Sequence, residues 1–378
     1  MCQSSSNIHS MKKLLIVGSF PRKKKKEHGG VLTVCQLLLD SSLPQRVNLL
    51  LVDSSSPSVP PPGVINRGVR ASARLLIVTW HYLISRPDVV LLFASPGTSH
   101  LEKTVMATIG HLFFVRSIFF PQGGRLLQDA TGSGFKAKLL RYTFHIPDQM
   151  LCQGKAYQNF FMNETGLTEK QCPIINNWTA TQELLNIGEA RVKELHHSDV
   201  GIIFLGWVAQ EKGIYELLEC ALCLSRNDMT NGFKLIIAGD GSAMQYAHKF
   251  VIENSLQDKV ELLGWIDSEE KSLCLKKSHI LVLPSYAEGM PNAVIEAMAA
   301  GLAVVATDVG EVRSLIQEGV NGFVVPVGDI DRLTDAVGQL LIDSELRFKM
   351  GQAGWDIARQ NFSTEPLVDR LVQLVDSL

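Results

Sequence analysis

Residues 285–301 read SYAEGMPNAVIEAMAAG. Glu288 and Glu296 bracket a stretch otherwise empty of charge. The apolar run HILVLPS (279–285) precedes it, so Glu288 projects from a loop at the carboxyl end of a strand. Pro291 and Asn292 suit a helix start, with Asn292 as N-cap, and Gly301 suits the residue beyond its end. Such a start presents unbonded N–H groups and the positive end of the helix dipole, an arrangement for binding an anion. Glu296 falls in mid-helix among Val294, Ile295, Ala297 and Met298. A carboxylate there is costly unless hydroxyl or N–H groups pair with it. The two vicinal hydroxyls of a ribose would serve. A solvated glutamate on a surface helix is the alternative, and the residue alone leaves the two even.

Other candidates are weaker singly. Lys212, in QEKG, could neutralise an anion, but an isolated lysine at a helix start is more often solvated. Gly29 and Gly30 follow the first apolar run and would let the backbone approach a phosphate or sugar, although most such pairs mark ordinary turns. FFPQGG (119–124) places Gln122 and Gly123 after another apolar run. Trp265 follows Gly264 and reads first as a packing residue. His28, His100 and His145 are spare acid–base candidates, each read as structural or solvated. Cys220 and Cys223 form a CxxC, but Ile214, Leu217, Leu218, Ala221 and Leu222 mark an amphipathic helix there. No second ligand pair follows, so packing is preferred to a metal site.

The elements that must position these residues alternate. Apolar, non-alternating runs at 12–20, 46–55, 88–95, 115–121 and 149–154 are separated by helical patterns at 67–85 and 98–112. The Pro-rich SSSPSVPPPG (54–63) can be neither helix nor inner strand. The pattern restarts at 199–206 and continues through 233–241, 260–265, 279–285, 301–310 and 323–329. Asp329 can N-cap the helix from Ile330. Unalternating strands between helices imply parallel sheets covered on both faces. The expectation is α/β: two doubly wound, Rossmann-like domains facing across a cleft. They cover 1–180 and 181–360, and a helix at 361–378 is expected to pack back on the first. Open α/β sheets bind ligands at the carboxyl ends of their strands, so the cleft is the natural site.

Of 378 residues, 46% are hydrophobic and 20% charged, as in a globular protein. The longest apolar runs, 75–85 and 104–115, fall short of the roughly 20 residues a membrane span needs. The first ten residues are polar and lack a signal peptide's apolar centre, and Met11 is an alternative start. Seven cysteines, an odd number, suit a reducing compartment. A cytoplasmic location is expected. Net charge is −2, yet residues 1–175 hold 20 Lys and Arg against 9 Asp and Glu. The remainder is correspondingly acidic. The basic half, with RKKKK at 22–26, suggests contact with something anionic, such as the inner face of a cell membrane. The apolar stretches 75–85 and 111–120 could add to such contact but read first as core. Nucleic acid is not expected, because no stacking-aromatic motif accompanies the charge.

ExGMPNAVIE resembles the signature of glycosyltransferase family 4, retaining enzymes of the GT-B fold. FLGWVAQEKG (204–213), LIIAGDGS (235–242), VELLGW (260–265), 280–310 and EGVNGFVVPVGD (318–329) are similar to that family in the same order. Together they cover most of 199–330, while the N-terminal half matches loosely. The resemblance implies that Glu296 binds the ribose of a nucleotide-diphosphate sugar, with a UDP-sugar favoured over a GDP-sugar. Glu288 would contact the donor sugar, with the backbone of Gly289, Met290, Pro291 and Asn292 around it. Lys212 would neutralise the diphosphate, Trp265 would lie against the base, and Gly29 and Gly30 would approach the donor. Gln122 and Gly123 would lie on the acceptor side. No metal is implied, and the acceptor would be a glycan or polyprenyl-diphosphate-linked glycan in bacterial surface polysaccharide assembly. Two positions depart from the pattern: Trp207 stands where an arginine is usual, and Gln122 where many relatives carry histidine. The shared fold keeps a GT-B nucleotide-sugar epimerase open as an alternative, and these departures keep open a non-catalytic nucleotide-sugar-binding protein.

Overall fold

The apolar runs become strands buried on both faces, and two separate parallel sheets result. The computed structural model describes residues 11–20, 29–55, 63–95, 97–192, 200–230 and 232–378. The basic run at 22–26, His28 and most of the Pro-rich segment lie outside them.

The first sheet has the order β2-β1-β3-β4-β5. Its strands are β1 (Lys13–Gly18), β2 (Asn48–Asp53), β3 (Val89–Ala94), β4 (Arg116–Pro121) and β5 (Gln149–Met150). All pair in parallel. The helices are α1 (Gly30–Asp40), α2 (Leu43–Arg46), α3 (Val64–Trp80), α4 (Thr98–Leu112), α5 (Arg125–Thr131), α6 (Phe135–Thr143) and α7 (Lys155–Thr165). Leu14, Ile16, Leu91 and Phe120 bury one face of this sheet, and Leu15, Val17, Leu92 and Phe119 the other.

The second sheet has the order β11-β10-β9-β6-β7-β8. Its strands are β6 (Val200–Leu205), β7 (Phe233–Ala238), β8 (Val260–Gly264), β9 (Ile280–Leu283), β10 (Ala303–Thr307) and β11 (Gly322–Val325). Around it lie α8 (Gln182–Val192), α9 (Ile214–Ser225), α10 (Met244–Glu253), α11 (Ser268–Lys277), α12 (Asn292–Ala299), α13 (Val312–Leu315), α14 (Ile330–Ile342) and α15 (Ser344–Asn361). Asp329 caps α14 by accepting from the Arg332 N–H at 2.9 Å. Cys220 is buried on α9 and Cys223, one turn on, is exposed.

The chain crosses between the sheets twice, side by side. Ala180 N–H donates to the Phe362 carbonyl and Thr364 Oγ1 to the Trp178 carbonyl. The last helix, α16 (Thr364–Ser377), returns to the first domain. Its Leu367, Val368, Leu371 and Val375 join the cluster of Leu14 and Val34, and Glu365 accepts from Ser42 Oγ at 2.5 Å.

Two expectations are corrected. Asn292 does not cap α12. Pro291 occupies that position, and the Asn292 side chain turns to the other domain. The stretch 75–85 is only half core: Val78 and Tyr82 are buried, but Leu76, Ile77, Trp80, Leu83 and Ile84 are exposed. In 111–120, Val115 and Ile118–Phe120 are buried, whereas Leu112 and Phe114 face water. Among the described residues, no helix is long and apolar enough to cross a membrane.

Candidate active site in the interdomain cleft

The loop after β9 delivers Glu288 to the cleft. Its Oε1 accepts from Lys212 Nζ at 2.6 Å and from Ser285 Oγ at 2.7 Å. Lys212 lies on a short 3-10 turn, Gln210–Lys212, that ends at Gly213. Gly213 has φ 70, and a Cβ there would stand 2.0 Å from the Pro284 carbonyl oxygen. Glycine is therefore required for this turn to lie against the end of β9 and bring lysine to glutamate.

The same loop touches the first domain. A Cβ on Gly124 would lie 2.0 Å from the Glu288 carbonyl oxygen, and one on Gly289 would meet Gln153 Oε1 at 2.5 Å. Met290 N–H donates to Gln153 Oε1 at 3.2 Å, while Gln153 Nε2 donates to Gln122 Oε1 at 3.2 Å and Asn177 Oδ1 at 3.0 Å. Asn177 Nδ2 donates to the Met290 carbonyl at 3.0 Å and to Asn292 Oδ1 at 2.7 Å. Asn292 Nδ2 donates to the Gly30 carbonyl at 3.3 Å. Gln122, Gly123, Gly289, Met290, Asn292 and Gly30 thus meet in one polar seam that holds the domains together. Pro291 is buried beside it. Gly29, at φ 145, leads into α1, and among the described residues nothing lies within 4 Å of where its Cβ would be.

Glu296 is 5% exposed on α12. Its Oε1 accepts from Lys271 Nζ of α11 at 2.8 Å, so an ammonium is its partner in the protein itself. Trp265, after β8, meets Trp207, after β6, edge to face with ring centroids 4.7 Å apart. Two indoles therefore stand at the carboxyl ends of β6 and β8, the strands on either side of β7, and Trp207 is the position at which the resembling family carries an arginine. Gln122 is 7% exposed, and its Nε2 has no hydrogen-bond partner among the described residues. It is a buried donor left for something else to satisfy. His100 lies apart. It is buried against Phe119 and Phe144, bonded to Thr143 Oγ1 at 2.7 Å, with its pKa pushed down to about 4 by burial. His145 is exposed.

Sequence reasoning missed Gln153, Asn177, Lys271 and Glu311. Glu311, fully buried at the start of α13, accepts from the Tyr157 N–H at 2.8 Å and from Ser314 Oγ at 2.5 Å. Its carboxylate sits where a Cβ on Gly154 would be, at the N-terminus of α7 in the other domain. It thus meets a helix dipole across the interface. Because these partners are separated by up to 154 positions, no local pattern points to them. Among the described residues, no group of three His, Cys, Asp or Glu could hold a metal ion.

Two parallel-sheet domains whose strand ends face a shared cleft define the GT-B fold. Residues 187–356 match the family model described as glycosyl transferases group 1. An alpha-D-kanosaminyltransferase of Streptomyces kanamyceticus is 32% identical over 170 residues, 45% of this chain and 44% of that protein. The lipopolysaccharide core biosynthesis glycosyltransferase LpsE of Rhizobium meliloti is 25% identical over 209 residues, 55% of this chain and 59% of that protein. The chain spans about half the length of the curated relatives it matches. Among solved structures, Anabaena HepE in complex with UDP-glucose superimposes with TM-score 0.71 at 15% identity, covering 97% of this chain and all of that one.

Proposed function

We propose that this protein is a retaining glycosyltransferase moving a hexose from a nucleotide-diphosphate donor to a glycan or lipid-linked glycan. The observation that carries the reading is the 2.6 Å contact of Lys212 with Glu288 beside the N-terminus of α12, facing Gln122 and Gly123. Lys212 would leave Glu288 for the donor diphosphate, and the start of α12 would add its dipole. Glu288, released, would accept from the hydroxyls of the sugar. Glu296 would accept from the ribose hydroxyls, and Lys271 would hold its carboxylate in place. Gln122 Nε2 would donate to a sugar oxygen. Gln122 cannot gain a proton near neutral pH, so the acceptor's proton would pass to the leaving phosphate oxygen itself. The Trp207–Trp265 pair would form the wall for the base. The charge on the diphosphate would be met by Lys212 and backbone N–H groups without a metal. A UDP-sugar is favoured by the likeness to a protein solved with UDP-glucose. The likeness to a lipopolysaccharide core biosynthesis glycosyltransferase supports a surface-polysaccharide acceptor.

The test is incubation with radiolabelled UDP-hexoses and a membrane lipid extract. Label passing into an extractable glycolipid, with the anomeric configuration kept, supports the reading. Epimerised donor without acceptor would establish the isomerase alternative. Turnover by neither route, with nucleotide still bound, would leave a binding protein.

A further inference from the structure

The outer faces of α3, α4 and α6 carry side chains that water disfavours. On α3, Ile65, Val69, Leu76 and Trp80 recur at helical spacing, and Leu83 extends the row through the π-helical turn His81–Ser85. They are 86%, 63%, 74%, 62% and 48% exposed. The opposite side of the same helix buries Val78 and Tyr82 against the sheet. A helix apolar on both sides has a second apolar face, and this one has no partner among the described residues. Leu101, Val105 and Leu112 are exposed on α4, and Phe135, Leu139 and Tyr142 on α6. Beyond α4, Phe114 is 94% exposed at φ 60, a left-handed backbone that bulky residues rarely adopt. The three helices form one layer. Arg74 makes two hydrogen bonds to Glu102, joining α3 to α4, and His100 joins α4 to α6 through Thr143.

An exposed apolar patch this extensive marks an interaction surface. Its charge says which kind. Residues 54–147 hold ten Lys and Arg but three Asp and Glu, and none of the acids falls between Asp53 and Asp88. Glu102 is engaged by Arg74 and Lys103, and Asp88 by the Lys13 N–H. Arg70 on α3 and Lys136 and Lys138 on α6 are exposed at the flanks of the apolar rows. A second copy of this chain would bring arginine against arginine. A layer apolar beneath and anionic on top matches both features. Trp80 and Tyr142 suit its boundary, where amphipathic rings settle.

We propose that the α3–α4–α6 face docks on an anionic lipid bilayer. Ile65, Trp80 and Phe114 enter the headgroup–acyl boundary, and Arg70, Lys136 and Lys138 meet lipid phosphates. The proposal deepens the lipid-linked acceptor reading, on which it rests for its purpose. The docking itself is tested without sugar transfer.

The experiment is co-sedimentation of the full chain, at low salt, with vesicles of equal phosphatidylglycerol and phosphatidylcholine, and with phosphatidylcholine alone. Binding to the mixed vesicles is expected, with a blue shift of tryptophan emission that Trp80→Phe removes. Trp80→Glu combined with Phe114→Glu should weaken binding about tenfold or more, and Arg70→Glu with Lys138→Glu should abolish the preference for anionic lipid. All these positions are exposed, and a cooperative thermal unfolding transition followed by circular dichroism checks that each variant is folded. Wild-type protein that ignores the mixed vesicles overturns the proposal. So does unchanged sedimentation of the Trp80→Glu, Phe114→Glu variant, or a dimer that those substitutions dissociate. Vesicle binding without any response to nucleotide would sink the transferase reading and leave the docking standing.

Discussion

The backbone of Gly124 in the first domain lies so close to Glu288 in the second that a Cβ would stand 2.0 Å from the Glu288 carbonyl oxygen. Backbone on backbone leaves no flexible side chain to give way. Gly124→Ala should therefore hold the cleft open while each domain keeps its own core. We expect kcat/KM to fall about a hundredfold, as for an ångström-scale misplacement of reacting groups. Small-angle scattering should show an expanded molecule. A variant as compact and active as the parent contradicts the closed seam.

Glu311 is a buried carboxylate at the N-terminus of α7. Glu311→Ala removes the acceptor of the Tyr157 N–H and should cost about 1–3 kcal/mol in urea unfolding. Glu311→Gln keeps one acceptor but loses the charge facing the helix dipole, and should cost less, about 1 kcal/mol. A Glu311→Gln variant as stable as the parent would show that charge contributes nothing there.

His100 predicts an acid limb in stability. Thr143 Oγ1 donates to the Leu140 carbonyl at 2.6 Å, so His100 Nε2 must donate to Thr143 Oγ1. Its Nδ1 has no partner among the described residues, so protonation would bury an unmatched donor. The folded-state pKa of about 4 lies below the ordinary 6.5. Between those values the unfolded chain holds the proton more tightly. Stability is full above pH 6.5 and falls as pH drops toward 4, by roughly 3 kcal/mol in all. Urea midpoints across that range should show this slope, and His100→Phe should flatten it by about one proton.

Much of this was legible in the sequence. Unalternating runs such as LLIVG (14–18) and ILVL (280–283) announce strands buried on both faces, and Asp329 before an apolar period announces a capped helix. Glu288 and Lys212 were legible through their motif, although their contact depends on Gly213 folding against Pro284. The role of Asn292 was misread because its partners, Asn177 and Gly30, come from distant segments. A cap preference is local, whereas a seam between domains is not. The stretch 75–85 was misread for another reason. Periodicity shows that a helix has an apolar face but not whether protein covers it.

Glu288 and Lys212 should separate kinetically. Glu288→Gln keeps a hydrogen-bonding side chain and loses the charge. It should lower kcat by about a hundredfold or more while the donor still binds. Lys212→Ala should weaken donor binding as well, since the diphosphate loses its cation. Initial rates against donor concentration distinguish the two patterns. Identical effects on kcat and KM in both variants would argue against distinct roles.

The central claim is that the second domain holds a nucleotide through Glu296. Thermal unfolding with millimolar UDP, GDP or ADP tests it most directly. A nucleotide at ~100 times its dissociation constant adds about 2.7 kcal/mol. The account predicts a rise in Tm with one nucleotide, UDP before the others, that Glu296→Ala abolishes. No rise with any of the three, or a rise that Glu296→Ala leaves intact, would contradict it.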